Sequence, residues 1–146
     1  MCATEQLLIC IHQTAEMGAA SIEKLIESSK DETFRKKLAD SREQYKRIWL
    51  SADTLLKSRE GDDRGISGAA KMMSNLNIEL ATLRDGSTAR LMEMLRQGNE
   101  RGLETLEKAF AEYGADADEE IVNLADVLRK KLLSERREID NSLSGR

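Results

Sequence analysis

The chain has 146 residues, of which 34% are charged, 3% aromatic and none proline, and its 23 basic and 27 acidic side chains leave a net charge of −4. That length suits one domain (1–146), with interleaved charges that give no pull on a phosphate backbone. No apolar run approaches the ~20 residues that span a bilayer, so neither nucleic acid nor membrane is an expected partner.

Absent proline together with abundant Leu, Ala, Glu, Lys and Arg is a helix composition, because nothing interrupts the backbone hydrogen-bond ladder. The first helix is expected over about 4–28, capped by Thr4. Its apolar positions Leu8, Ile11, Ala15, Gly18, Ile22 and Leu25 fall three and four apart, the seam of a bundled helix. Ser29-Lys30-Asp31-Glu32 reads as a capping box, placing a second helix at about 30–60. Its seam is Phe34, Leu38, Ser41, Tyr45, Ile48, Ala52 and Leu55, with Trp49 alongside.

Gly61 and the following GDDRG stretch end that helix. Ser67 caps a shorter one, about 67–85, with Ala69, Met73, Leu76, Leu80 and Leu83 on one face. Gly86 then terminates and Ser87 caps the next helix, about 87–113, whose seam is Met92, Leu95, Asn99, Gly102, Leu106, Ala109 and Tyr113. A single bent helix over 67–113 is the competing reading, since Gly86 lacks a proline to enforce the break. Asp116-Ala117-Asp118-Glu119 is a second capping box. The last helix, about 117–140, uses Ile121, Ala125, Leu128, Leu132, Glu135 and Ile139, and the polar tail beyond Asp140 is expected to fray.

Tight links at 29–30 and 114–116 make antiparallel neighbours, giving two helical hairpins. The long joint between them, 61–86, is a crossover of the length of a bundle. The expected fold is therefore all-α, a four-helix bundle with ferritin-like wiring and a shorter helix in the crossover.

The segments LLICIHQTAEMGAASIEKLI (7–26) and MEMLRQGNERGLETLEKAFAEY (92–113) resemble helices of small bacterial four-helix-bundle domains of unknown function, grouped with the ferritin-like superfamily. Gly98, followed by a charged stretch and an aromatic-bearing turn, is the most suggestive piece. The resemblance covers nearly the whole chain in element order. It implies a ferritin-like fold and no activity.

A di-metal centre in such a bundle takes a Glu from each of two helices and a Glu-x-x-His pair from each of the others. Here His12 is the only histidine, no Glu-x-x-His exists, and the nearest substitute is Glu135-x-x-Glu138. No cofactor is expected. His12 and Glu16, four apart on the first helix, are the residual metal candidates, though an ordinary pair at the rim of the core accounts for them better. The row Glu93, Gln97, Glu100, Glu104 and Glu107 reads as a wet acidic face, and Arg129, Lys130, Lys131, Arg136 and Arg137 as a solvated basic one. Cys10 and His12 point about 160° apart on a helix, so they form no nucleophile–base pair, and GDDRG lacks the lysine of a phosphate loop.

The two cysteines, Cys2 and Cys10, lie about 12 Å apart along a helix axis, beyond disulfide reach. With no basic segment preceding Leu7–Ile11, a secretory leader is not expected and the cytoplasm is the default location.

Polar residues inside the seams, Ser41, Tyr45, Asn99 and Glu135, need partners if buried. They either fix helix register, line a small polar pocket, or, for Glu135, snorkel to the edge. Gly18, Gly98 and Gly102 each cost roughly 1 kcal/mol relative to Ala in a helix, which close helix approach would explain. Met72, Met73, Met92 and Met94 read as core filler. The functional expectation is a non-enzymatic module that binds a protein partner or its own copy, from the broad apolar flank Val122, Leu124, Val127 and Leu133. The alternative is a metal or small-molecule binder with a reduced site near His12 and Glu16.

Overall fold

The computed structural model of the chain describes residues 2–59 and 86–145. They form four helices and no strand: α1 (Ala3–Ser28), α2 (Glu32–Ser58), α3 (Thr88–Tyr113) and α4 (Glu119–Ser144). The expected helix at 67–85 lies outside the described residues. None of the described helices is long and apolar enough to cross a membrane.

Side-chain caps start α2 and α3 but neither α1 nor α4: the expected box at Asp116–Glu119 makes no cap bond, and α4 begins at Glu119 with Asp118 at the cap position rather than at about 117. α2 begins at Glu32, two residues after the box suggests, because Asp31 takes the cap and its carboxylate accepts the Phe34 N–H at 3.0 Å. Ser29 instead closes α1; its hydroxyl accepts the Asp31 N–H at 3.3 Å and its carbonyl accepts from Arg35 at 3.1 Å. Ser87 caps α3 by accepting the Arg90 N–H at 3.2 Å. Its extended backbone (φ −60°, ψ 153°) stops any helix from running unbroken through 86–88, which removes the single bent helix over 67–113.

Thr4 is not the cap of α1, which starts at Ala3 with Cys2 at the cap position and no side-chain cap bond. The Thr4 hydroxyl turns away and accepts the Asp118 N–H at 2.9 Å, so a residue of the first turn of α1 secures the entry to α4. The tail beyond Asp140 stays helical to Ser144, held by Arg96, whose Nε donates to Asp140 at 2.6 Å, and by Leu143 packed on the core.

The seams meet in one core. Every residue of the α4 seam is buried, as are Leu8, Ile11, Ala15, Ile22 and Leu25 of α1. Fully burying each Leu or Ile is worth about 1.5–3 kcal/mol. The seams drift slightly from a strict heptad, because an α-helix turns every 3.6 residues. Leu56 rather than Leu55 is deepest at the end of α2, and on α3 Leu91, Met94 and Leu103 are buried while Met92 and Gly102 lie at the margin.

Cross-helix pairs fix the directions. His12–Asp53 and Glu23–Arg42 run oppositely along α1 and α2. Glu107–Arg129 and Arg96–Asp140 do so for α3 and α4, and Ser41–Glu135 with Arg59–Asp118 for α2 and α4. α1 also packs on α3, with Gly102 beside Thr14 and the Cys10 thiol facing the Thr105 carbonyl. Arg59, just past α2, sits at Asp118, whereas Thr88, opening α3, donates to Asp31 at the other end of the molecule.

Candidate functional site

The polar residues within the seams converge. Ser41 and Tyr45 lie one turn apart on α2, Lys131 and Glu135 one turn apart on α4, and Asn99 faces them from α3. The Glu135 carboxylate, only 6% exposed, accepts from three donors: the Ser41 hydroxyl, the Tyr45 hydroxyl at 2.9 Å and the Lys131 ammonium at 3.0 Å. Lys131 also donates to Ser41 at 2.8 Å and lies 5.1 Å from the centre of the Tyr45 ring, a cation–π arrangement. Glu135 therefore does not snorkel. Lys131 departs from the solvated basic face expected of its neighbours and bends inward to neutralise the carboxylate, the pairing a buried charge requires.

Burial pushes the Tyr45 phenol well above its ordinary pKa, and the neighbouring Glu135 carboxylate adds to the shift. Tyr45 thus holds its proton, and a phenol has only one to donate. The carboxylate takes it at 2.9 Å, while the Asn99 Oδ1 stands farther away at 3.3 Å. The Asn99 Nδ2 is buried and has no hydrogen-bond partner among the described residues. Turning the amide over would let Nδ2 donate to the phenol oxygen and would leave Oδ1 over instead. In either orientation at least one polar end of Asn99 remains unmatched.

Asn99 and Tyr45 also form part of the wall of a cavity of about 250 Å³ between α1 and α3. Three helical glycines line it. A Cβ on Gly18 would stand 2.8 Å from Tyr45 Cδ1, so the ring lies directly on the α1 backbone. A Cβ on Gly102 would come 3.3 Å from Leu132 Cδ2, and one on Gly98 would meet nothing within 4 Å. Glycine thus makes room for a ring at one position, a close leucine at the second and open space at the third. Met17, Leu25, Met94 and Leu95 give the cavity apolar walls, and exposed Arg101 is the one charged residue among its lining.

His12 stands apart from this cavity and is not the rim residue its sequence position suggests. It is 5% exposed, its Nε2 lies 3.2 Å from Asp53 Oδ1 across the α1–α2 interface, and its ring sits 5.2 Å from that of Trp49. Asp53 also pairs with Lys57 at 2.9 Å. The Lys57 hydrogen bond, joined by that of His12, holds the Asp53 carboxyl below its usual value against a smaller opposing effect of burial. Glu16 is half-buried on α1. Among the described residues no group of three His, Cys, Asp or Glu side chains stands close enough together to hold a metal ion.

In the acidic row, Glu93, Glu100 and Glu107 pair with Arg90, Arg96 and Arg129 at the surface. The Cys10 thiol lies 3.9 Å from the Thr14 hydroxyl, and burial raises its pKa, so it is a poor nucleophile.

Sequence reasoning grouped Tyr45 and Asn99 among seam residues able to line a small polar pocket and Gly18, Gly98 and Gly102 as marks of close helix approach; the meeting of the two groups at one cavity depends on how the helices are rotated against each other. Asp53 carried no signal beyond a lysine four residues on. Comparison with protein-family models, with curated proteins and with solved structures found no match to the chain.

Proposed function

We propose that the bundle is a binding module, without chemistry of its own, for a small and largely apolar molecule seated between α1 and α3. The observation that carries this reading is the unmatched amide of Asn99, 2% exposed, at the wall of an apolar cavity of about 250 Å³. A buried polar atom without a partner costs about 1–3 kcal/mol, which a ligand group bonded to it would recover. An engineered apolar cavity of about 150 Å³ already takes up benzene. Gly98 supports the same reading, because it gives up helix stability at a position where a Cβ would meet nothing within 4 Å.

The test is a titration with small apolar fragments, followed through the backbone amides of Gly18, Gly98 and Gly102 and the side-chain amide of Asn99. Saturable shifts concentrated there are expected, and Gly98→Leu, placed where a Cβ meets nothing within 4 Å, should abolish them. Fragments that fail to saturate, or that bind Gly98→Leu equally well, would remove the proposal.

We further read the wiring as ferritin-like, with two hairpins joined by a crossover, which the positions of Arg59 and Thr88 at opposite ends of the molecule support. A second functional reading is self-association through α4. It keeps Val127, 51% exposed, while Val122, Leu124 and Leu133 pack against the core. Light scattering at high concentration tests it, and a strict monomer removes it.

A further inference from the structure

We infer that the ligand of this cavity is a neutral aromatic molecule of one or two fused rings bearing a hydroxyl group; the inference rests on the binding reading above. Size comes first. A space of about 250 Å³ exceeds the roughly 150 Å³ that accommodates benzene and remains below the range of about 300–1,000 Å³ usual for drug-sized ligands.

Shape and softness follow from the walls. The Tyr45 ring, seated on the backbone at Gly18, is part of the wall, and Met17 and Met94 contribute thioethers. Sulfur against the edge of an aromatic ring is a favourable contact, and the unbranched methionine adapts to the ring it meets.

Charge is decided by what lies behind the wall. The Glu135 carboxylate sits 2.9 Å beyond the Tyr45 hydroxyl, and the Lys131 charge is already committed to it at 3.0 Å. An anion behind Asn99 would meet a lysine already paired, and a cation would have to leave water for a lining that holds no carboxylate. Arg101 is exposed, where water screens it.

The polar group must match Asn99. Because Tyr45 gives its only proton to Glu135, the amide presents either Nδ2 as donor or Oδ1 as acceptor, according to its orientation. A hydroxyl donates and accepts, so it satisfies whichever end is presented; an ether or a ketone satisfies one alone.

The experiment compares 2-naphthol, naphthalene and 2-naphthoate by calorimetric titration of the intact protein. 2-Naphthol is expected to bind about tenfold tighter than naphthalene, the worth of one buried hydrogen bond, and 2-naphthoate weaker than either. Asn99→Leu, or Asn99→Ala should the larger side chain disturb folding, is expected to erase the preference for 2-naphthol and leave naphthalene binding in place. Gly98→Leu should abolish binding of all three. Equal affinity for 2-naphthol and naphthalene would overturn the hydroxyl assignment while the cavity remained a binding site. Tightest binding of 2-naphthoate would overturn neutrality and hand recognition to Arg101. If none of the three bound, or if binding survived Gly98→Leu, the site itself would fall and this inference with it.

Discussion

Alanine placed at Gly18 should leave the protein less stable than alanine placed at Gly98, although both glycines lie within long helices. Replacing a helical glycine by alanine gains about 1 kcal/mol of propensity at either position. At Gly98 that gain stands alone, since a Cβ there meets nothing within 4 Å. At Gly18 the new methyl would stand 2.8, 2.9 and 3.0 Å from Cδ1, Cε1 and Cγ of Tyr45. That ring is 1% exposed and its hydroxyl is tied to Glu135, so moving it aside would break that hydrogen bond. Overpacking of this kind costs about 1–3 kcal/mol. The propensity gain cancels between the two variants, so Gly18→Ala should be less stable than Gly98→Ala by that amount. For a chain of this size the gap corresponds to roughly 2–12 °C in Tm, at about 2–4 °C per kcal/mol. Thermal and urea unfolding followed by far-ultraviolet circular dichroism measure it. Equal midpoints, or a more stable Gly18→Ala, would refute the seating of Tyr45 on the α1 backbone.

Lys131→Met should cost about 1–3 kcal/mol in urea denaturation, because it leaves a 6% exposed carboxylate without its cation. Lys130→Met, which breaks a pair whose lysine is 74% exposed, should cost about 0.5 kcal/mol or less. The Asp53 carboxyl titrates lower in the folded than in the unfolded protein, so its contribution is present above the unfolded pKa of about 3.9 and fades as pH falls through the lower folded value. The difference in Tm between the native chain and Asp53→Asn should therefore be largest near neutrality and shrink below about pH 4; a difference independent of pH would contradict the pairing. Cys2 is exposed while burial raises the Cys10 pKa, so a thiol reagent should modify Cys2 first and Cys10 only slowly, as mass spectrometry of the labelled peptides would show.

The core was the most legible part of the chain. Residues spaced three and four apart, such as Ile121, Ala125, Leu128 and Leu132, report helix periodicity, and periodicity is a local property. What escaped was set by neighbours distant in sequence. Thr4 has the character of a cap, yet its hydroxyl serves a helix entered 114 residues later. His12 appeared to belong with Glu16 because both lie on one helix, whereas Asp53 reaches it from the next helix at 3.2 Å. The cavity was half visible. Its glycines and its asparagine stood out as residues ill suited to helix interiors, but their common destination depends on the rotation of α1 against α3, which no single helix encodes. Glu135 was ambiguous for the same reason, since only the donors from α2 distinguish a satisfied carboxylate from one that reaches for water.

The hydrogen bond from the Asp118 amide to Thr4 bears on how the chain assembles. It closes a ring of more than a hundred residues, and joining ends so distant carries an entropic penalty that grows with the logarithm of the separation. That contact therefore persists only while the first and last helices are docked together, and neither hairpin by itself supplies both partners. The Asp118 amide is accordingly a built-in gauge of assembly: its exchange with deuterium should follow the joining of the two halves, whereas amides in the middle of α1 or α2 keep their protection for as long as their own helix lasts.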